Sequence, residues 1–297
     1  MSWTAADLPS FAGRTVIVTG ANSGLGLITA RELARVGAKT ILAVRNTAKG
    51  DEAAATMTGP GFGPVEVRKL DLQDLASVRA FADGFSGSGD GIDVLVNNAG
   101  IMAVPYALTV DGFESQIGTN HLGHFALTNL LLPQISERVV TVSSMMHLFG
   151  RINLKDLNWK ARPYLAWPAY AQSKLANLLF TKELQRRLDA AGSPVKAITA
   201  HPGYSATNLQ GQTGNPVGTP IWLAANRIFA TPADFGARQT LYAVSQDLPG
   251  DTFIGPRFGS RGPTGPTNLR SPLARDAKTA AALWELSEQL TDTKFSL

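Results

Sequence analysis

From Thr15 onward, short runs of β-branched and aliphatic residues alternate with longer stretches in which apolar positions recur every three or four residues. That alternation is the signature of a parallel sheet with helices on both faces. Six strands follow from it: Thr15–Thr19, Lys39–Val44, Val65–Lys69, Val94–Val96, Arg138–Val142 and Val195–Thr199. Several are apolar nearly throughout, as strands covered on both sides must be. Helical patterns run over Gly24–Val36, Thr47–Met57, Leu75–Phe85, Asp111–Leu132 and Pro168–Ala190. After Gly203 the alternation stops, and Gly211–Pro220 and Pro256–Pro266 read as loops around helical pieces at Ala233–Ser245 and Thr279–Leu290. The Gly/Pro-rich stretches Gly59–Pro64 and Gly84–Gly91 fall between neighbouring elements and read as turns, not interdomain linkers. The pattern predicts an α/β fold built on one doubly wound parallel sheet.

The first strand runs straight into Gly20-Ala21-Asn22-Ser23-Gly24-Leu25-Gly26, which opens the first helix. Glycines there let the backbone turn sharply and approach a diphosphate, and the helix N-terminus offers unpaired N–H groups with a partial positive charge. A glycine cluster alone also fits a ligand-free tight turn; the strand-turn-helix context favours a dinucleotide. A site that prefers NAD places a carboxylate after the second strand to bind the ribose 2′-hydroxyl. Here that corner reads Arg45-Asn46, with no acid, and the planar fork of Arg45 suits a 2′-phosphate. The alternative for Arg45 is a solvated strand end. After the third strand, Asp71-Leu72 offers an acid that either caps the next helix or bonds an adenine amino group. After the fourth, Asn98-Ala99-Gly100 suits a turn lying against a flat cofactor.

Tyr170 and Lys174 stand four apart on a predicted helix and share a face. Spacing alone also fits a half-buried tyrosine beside a solvated lysine. Ser144 closes the fifth predicted strand, directly before the tyrosine-bearing helix, so all three side chains converge on one mouth. A free phenol titrates near ~10, so a phenolate at neutral pH needs about 4 kcal/mol of stabilisation. One ammonium at ~4 Å, at an effective dielectric of ~20, supplies roughly that much.

Composition narrows the classes. With no cysteine, disulfide scaffolds, thiolate metal sites and thiol nucleophiles are excluded, and a reducing, cytoplasmic setting is expected. A net charge of +4, spread along the chain, gives no basic stripe for nucleic acid. Leu122–Ile135, the most apolar stretch, is interrupted by His124, Thr128, Asn129 and Pro133 and is too short to span a bilayer. His121 and His124 invite a metal reading, but no carboxylate or cysteine completes a ligand set near them.

Taken in order, Thr19–Gly26, Asn97–Gly100, Asn120, Ser144, Tyr170 to Lys174 and Pro202-Gly203 resemble the short-chain dehydrogenase/reductase family, over about Gly13 to Thr207. Arg45-Asn46, Asn120-His121-Leu122-Gly123-His124-Phe125 and Ser173-Lys174-Leu175-Ala176-Asn177 are most similar to its retinol dehydrogenase and protochlorophyllide reductase branch. The resemblance implies a single Rossmann-type domain over 1–297, with 13–203 as cofactor-binding and catalytic core and 204–297 supplying substrate-pocket loops and C-terminal helices. It implies an NADP(H)-dependent oxidoreductase acting on an alcohol or carbonyl of a fairly apolar small molecule. In it Tyr170 is the acid/base, Ser144 bonds the substrate oxygen, Lys174 lowers the Tyr170 pKa and binds the nicotinamide ribose, and Asn120 holds a water that links Lys174 to solvent. Asn98 would support the cofactor pocket, and Pro202, Gly203 and Thr207 would lie near the nicotinamide. The family's pairing of long helices implies a homodimer or homotetramer, while monomers occur in the retinol-type branch.

Ser144 and Tyr170 are 26 positions apart, twice the spacing of compact family members, so Met145 to Ala169 holds an insertion. Its Trp159, Tyr164 and Trp167 either wall an apolar pocket or pack on the core. Two other functions fit the pattern. One is a cofactor-binding sensor that does not turn over. The other is a protochlorophyllide-type carbon-carbon double-bond reductase, which the missing cysteines weigh against.

Overall fold

The computed structural model describes residues 3–85, 91–203 and 232–297. The chain runs β1 (Thr15–Thr19), α1 (Gly24–Arg35), β2 (Lys39–Val44), α2 (Thr47–Ala54), β3 (Val65–Lys69), α3 (Leu75–Asp83) and β4 (Ile92–Asn97). There follow α4 (Ser115–Ile117), a π-helical turn (Gly118–Leu122), α5 (Gly123–Leu131), β5 (Ile135–Val142), a 3-10 turn (Met145–Phe149), α6 (Ala166–Ala190) and β6 (Lys196–Ala200). Beyond residue 231 lie α7 (Ala233–Ser245), β7 (Phe253–Pro256), β8 (Thr264–Pro266) and α8 (Ala277–Thr291).

The strands form one sheet in the order β3-β2-β1-β4-β5-β6-β7-β8, parallel except for the β7–β8 pair. This is the doubly wound, Rossmann-type arrangement expected from the pattern. Successive residues of each strand alternate between two cores. On β1, Val16 and Val18 pack with Leu33 of α1 and Leu241 of α7, whereas Ile17 packs with Phe81 of α3, Phe125 of α5 and Leu184 of α6. Because both faces are covered at the sheet centre, runs such as Val16-Ile17-Val18 and Ile41-Leu42-Ala43-Val44 are wholly apolar and buried.

The order reverses between β1 and β4, each of which ends its hydrogen-bonded run beside the other. Connections leave in opposite directions there, and the crevice beyond the carboxyl ends is where such sheets bind ligands. The residues the sequence singled out after β1, β2, β3 and β4 therefore arrive at one edge of the molecule.

The structure departs from the expected elements at three places. The single helix predicted over Asp111–Leu132 is broken by the π-helical turn, which leaves α4 with three residues. Strand β8 falls within the expected Pro256–Pro266 loop and β7 overlaps it only at Pro256, outside any predicted element, because four and three residues rich in Gly and Pro carry no alternation; β8 lies at the sheet edge, where proline is tolerated. Gly211–Pro220 lies outside the described residues. Finally, α8 packs across α5 and α6. Trp284 stacks on Phe180 with ring centroids 5.7 Å apart and meets Phe125 edge-on at 4.8 Å. Helix α8 thus covers one face of α5 and α6.

Candidate active site

The turn after β1 is shaped by close contact. Gly20 and Gly24 adopt φ of +66° and +56°, the left-handed region that glycine reaches without strain. At Gly26 a Cβ would meet the Gly20 carbonyl oxygen at 2.6 Å and run into the Asn98 amide. The third glycine therefore lets α1 approach the turn. Ser23 occupies the N-cap of α1 but makes no side-chain cap bond, so it leaves first-turn N–H groups of the helix open to the cleft.

The turn after β4 is locked to the turn after β1 by one hydroxyl. Thr19 Oγ1 accepts the backbone N–H of Asn98 and of Ala99, both at 2.9 Å, and the Asn98 amide donates to the Thr19 carbonyl at 2.8 Å. With its lone pairs engaged, Thr19 directs its proton at His124 Nε2, 2.9 Å away, nearer than the Val96 carbonyl at 3.3 Å. His124 then carries its own proton on Nδ1, facing the Asn120 carbonyl at 3.2 Å. Burial pushes the His124 imidazole down to about 3, and the neighbouring Lys174 charge acts in the same direction. His121 is likewise held near 3 by burial, with Nε2 against Ser287 Oγ at 2.9 Å. Both rings are neutral groups engaged with protein hydroxyls.

A cleft of about 1510 Å3 runs from these two turns to the mouth formed by β5 and α6. Gly20, Asn22, Ser23, Gly24, Leu25 and Gly26 line one end together with Arg45, Asn46, Asp71 and Leu72. Asn98, Ala99 and Gly100 line the middle, and Ser144, Tyr170, Lys174, Pro202 and Gly203 the other end. Asn120 is fully buried behind this wall, and Thr207 lies outside the described residues. Lys49 also lines the cleft on the Arg45 side; the sequence reading missed it, although it stands four residues after Arg45. Of the two roles left open for Asp71, the helix cap is taken by Asp74, which accepts Ala76 and Ser77 N–H groups. Asp71 Oδ1 accepts the Gln73 N–H at 3.0 Å and closes the turn.

At the far end, Ser144 Oγ accepts the Met146 N–H at 3.2 Å and begins the 3-10 turn. His147 secures this turn from behind: Nδ1 faces the Ser144 carbonyl at 2.7 Å, and Nε2 accepts the Ser271 N–H at 3.2 Å. Ser143 donates to the Lys174 carbonyl at 2.7 Å and so ties the strand end to α6. Lys174 Nζ donates to the Val142 carbonyl at 3.1 Å and lies 5.7 Å from the centre of the Tyr170 ring.

Burial pushes the Tyr170 phenol up to about 12, with the Ser144 hydroxyl pulling part of the way back, and pushes Lys174 down to about 8. Burial raises the phenol, contrary to the lowering by the Lys174 ammonium that the sequence suggested. At neutral pH this arrangement holds a protonated phenol beside a charged amine.

Asn120 has no free amide. Its Oδ1 accepts the Ile101 N–H at 2.9 Å, and its Nδ2 donates to the Ile101 carbonyl and to Ser173 Oγ, at 2.9 and 2.8 Å. The insertion aromatics divide. Trp167 lines the cleft, whereas Trp159 is buried under the Arg162 guanidinium, 3.6 Å from its ring, and Tyr164 packs edge-on against Trp159. Met102, Met145, Leu148, Phe149 and Phe258 complete the wall around Trp167.

Residues 14–217 match the short chain dehydrogenase family. Human retinol dehydrogenase 13 is 41% identical over 291 residues, a match spanning 94% of this chain and 84% of that protein. Human retinol dehydrogenase 11 is 51% identical over 202 residues, covering 66% of this chain and 63% of its own length. A crystal structure of an uncharacterized protein from Mycobacterium paratuberculosis is 68% identical and superposes over 100% of both chains with a TM-score of 0.87. The chain belongs to the short-chain dehydrogenase family, in its retinol dehydrogenase-like branch.

Proposed function

We propose that this member of the family is an NADP(H)-dependent oxidoreductase of one catalytic domain. It moves a hydride between the nicotinamide and the alcohol or carbonyl carbon of an apolar small molecule. The observation that carries the reading is that one cleft joins the glycine turn, two basic side chains and the Ser144–Tyr170–Lys174 group.

The residues present fit the nucleotide. The close approach at Gly26 and the open first turn of α1 suit a diphosphate. Arg45 and Lys49 together suit a 2′-phosphate, and Asp71, at the end of β3, leaves an oxygen for an adenine amino group. When bound, the nicotinamide accepts or supplies the hydride.

The protein's own groups handle the proton. In reduction, Tyr170 Oη gives its proton to the substrate oxygen as that oxygen gains negative charge, while Ser144 Oγ–H bonds the same oxygen. The Lys174 ammonium stabilises the phenolate left behind. Asn120, whose side-chain amide is committed to Ile101 and Ser173, would hold a water linking Lys174 to solvent through its backbone. The methionine and aromatic wall around Trp167 supports an apolar substrate.

Replacing Tyr170 with Phe tests the acid/base. Reduction of an aldehyde by NADPH is expected to fall by about 10³-fold, with NADPH affinity changed by less than about twofold. Full turnover by the purified variant would remove Tyr170 from the chemistry. Tight NADPH binding by the wild type, with no turnover across aldehydes, ketones and alcohols, would favour a sensor.

A further inference from the structure

Behind the apolar end of the cleft lies a polar cluster that the hydride chemistry does not use: Glu114 and Gln116, both buried, and the half-buried Tyr164. Gln116 is fully buried, and its amide reaches two separate stretches of chain. Its Oε1 accepts the Ala103 N–H at 2.7 Å, and its Nε2 donates to Tyr164 Oη at 2.7 Å and to the Ala166 carbonyl at 2.9 Å. Ala103 belongs to the segment after β4, and its neighbour Met102 lines the cleft with it. Tyr164 and Ala166 belong to the end of the insertion, where Ala166 and Trp167 line the cleft opposite. One side chain therefore spans the two walls between which a substrate must enter.

The geometry of both walls depends on that span. Ala103 holds φ at +49°, a left-handed conformation that a residue with a Cβ leaves unless its neighbours hold it there. The bond to Gln116 is the restraint its N–H receives. On the other wall, Tyr164 Oη accepts from Gln116 and directs its own proton between the Val104 carbonyl at 3.0 Å and Glu114 Oε1 at 3.1 Å. Glu114 in turn fixes the start of α4, accepting the Gln116 and Ile117 N–H groups at 2.9 Å each. Burial raises the Glu114 carboxyl above the usual range despite those donors. A polar cluster with this many partners keeps one geometry, because any shift leaves a buried donor or acceptor unmatched.

We propose that Gln116 and Tyr164 form a strut that sets the width of the substrate passage between Met102–Ala103 and Ala166–Trp167, and so determine which lengths of apolar carbonyl substrate are accepted. The inference rests on the reading of this cleft end as a substrate site for carbonyl reduction. Gln116 and Tyr164 act as positioning residues through the walls they hold. The 26-residue interval that departs from compact family members has a use in this light, since its last residues supply one half of the strut.

The test compares kcat and KM for hexanal and decanal, with NADPH, in the wild type, Tyr164→Phe and Gln116→Met, with Tyr170→Phe as control. Tyr164→Phe keeps the ring contacts and removes only the hydroxyl, so it remains informative if the more disruptive Gln116→Met fails to fold. The expected result is a change of about tenfold in the ratio of kcat/KM for decanal to that for hexanal, carried by KM, with NADPH affinity unchanged. A ratio within about twofold of wild type in Tyr164→Phe overturns the strut. So does a loss confined to kcat and equal for both aldehydes. If Tyr170→Phe is inactive while the ratio stays fixed, the strut alone fails. If the wild type reduces neither aldehyde, or Tyr170→Phe keeps full activity, the reading beneath it fails as well.

Discussion

The two ends of the cleft are built on different principles. At the glycine end, position is set by backbone: the carboxyl ends of β1 and β4, two left-handed glycines, and one threonine hydroxyl tying adjacent turns. At the apolar end, position is set by side chains from distant segments, with Gln116 meeting Tyr164 and Ala166, and His147 meeting Ser271. A backbone-built site tolerates few changes in shape and serves one invariant ligand. A side-chain-built site can be re-cut one residue at a time.

The backbone-built end is tested most severely by adding a methyl group there and, for comparison, at a glycine outside the cleft lining. At Gly26 the new Cβ would meet the Gly20 carbonyl at 2.6 Å, and backbone atoms on both sides must move. Overpacking of this kind costs about 1–3 kcal/mol. Gly26→Ala is therefore expected to lower the melting temperature and weaken NADPH binding by about 100-fold, since the phosphate-facing turn itself is displaced. At Gly265, in β8, an added Cβ has nothing within 4 Å. Gly265→Ala is expected to leave melting and binding as they are. Fluorescence titration with NADPH and a thermal melt of each variant check the pair; equal effects would erase the distinction.

The same contrast explains what could be read from the sequence. Strands β1, β2 and β3 and helix α7 match their predicted bounds to the residue, because both-face burial writes an apolar run in β1 and β2, the edge strand β3 alternates valine with charged residues, and amphipathic periodicity writes a stripe in α7. The glycine turn, Asn98 to Gly100, Ser144, Tyr170 and Lys174 were legible because each stands at a fixed offset from such an element. The strut was not. Gln116 lies in a three-residue helix before a π turn, within a stretch that reads as one regular helix, and nothing local marks its partners 48 and 50 positions away. His147 has the same character, since its acceptor role depends on Ser271, 124 positions along. Lys49 could have been found, because a second cation one helical turn beyond Arg45 is a local signal.

A smaller effect is expected where the nucleotide's identity is read. Arg45 and Lys49 are exposed and line one part of the cleft, so each is expected to contribute a charge-assisted contact to a 2′-phosphate. Such contacts are worth about 1.5–3 kcal/mol. Arg45→Ser is expected to lower the preference for NADPH over NADH by about 10–100-fold in kcat/KM, and adding Lys49→Ser to lower it further, without loss of NADH activity. Here a backbone-built half carries a side-chain decision, which sharpens the comparison: shape is fixed by the turn, and charge at its edge selects between two cofactors of that shape. An unchanged preference in the double variant would take both residues out of the site.

The mildest perturbation is pH, and it acts on the other end. Burial holds Tyr170 up to about 12 and Lys174 down to about 8. A phenol below its pKa is protonated, so Tyr170 remains a competent acid throughout the range in which the fold is assayed. An ammonium is charged below its pKa and neutral above it, so Lys174 supports the departing proton below about pH 8 and loses that ability above it. In reduction, kcat/KM is therefore expected to be flat through neutral pH and to fall about tenfold per unit on the alkaline side, with one proton lost. Lys174→Arg carries a guanidinium that stays charged well beyond that point. The variant is expected to be slower overall, because the guanidinium cannot reproduce the single bond to the Val142 carbonyl, but to lose the alkaline fall. A limb at the same pH in Lys174→Arg would assign the titration to another group and leave the depressed lysine without a part in turnover.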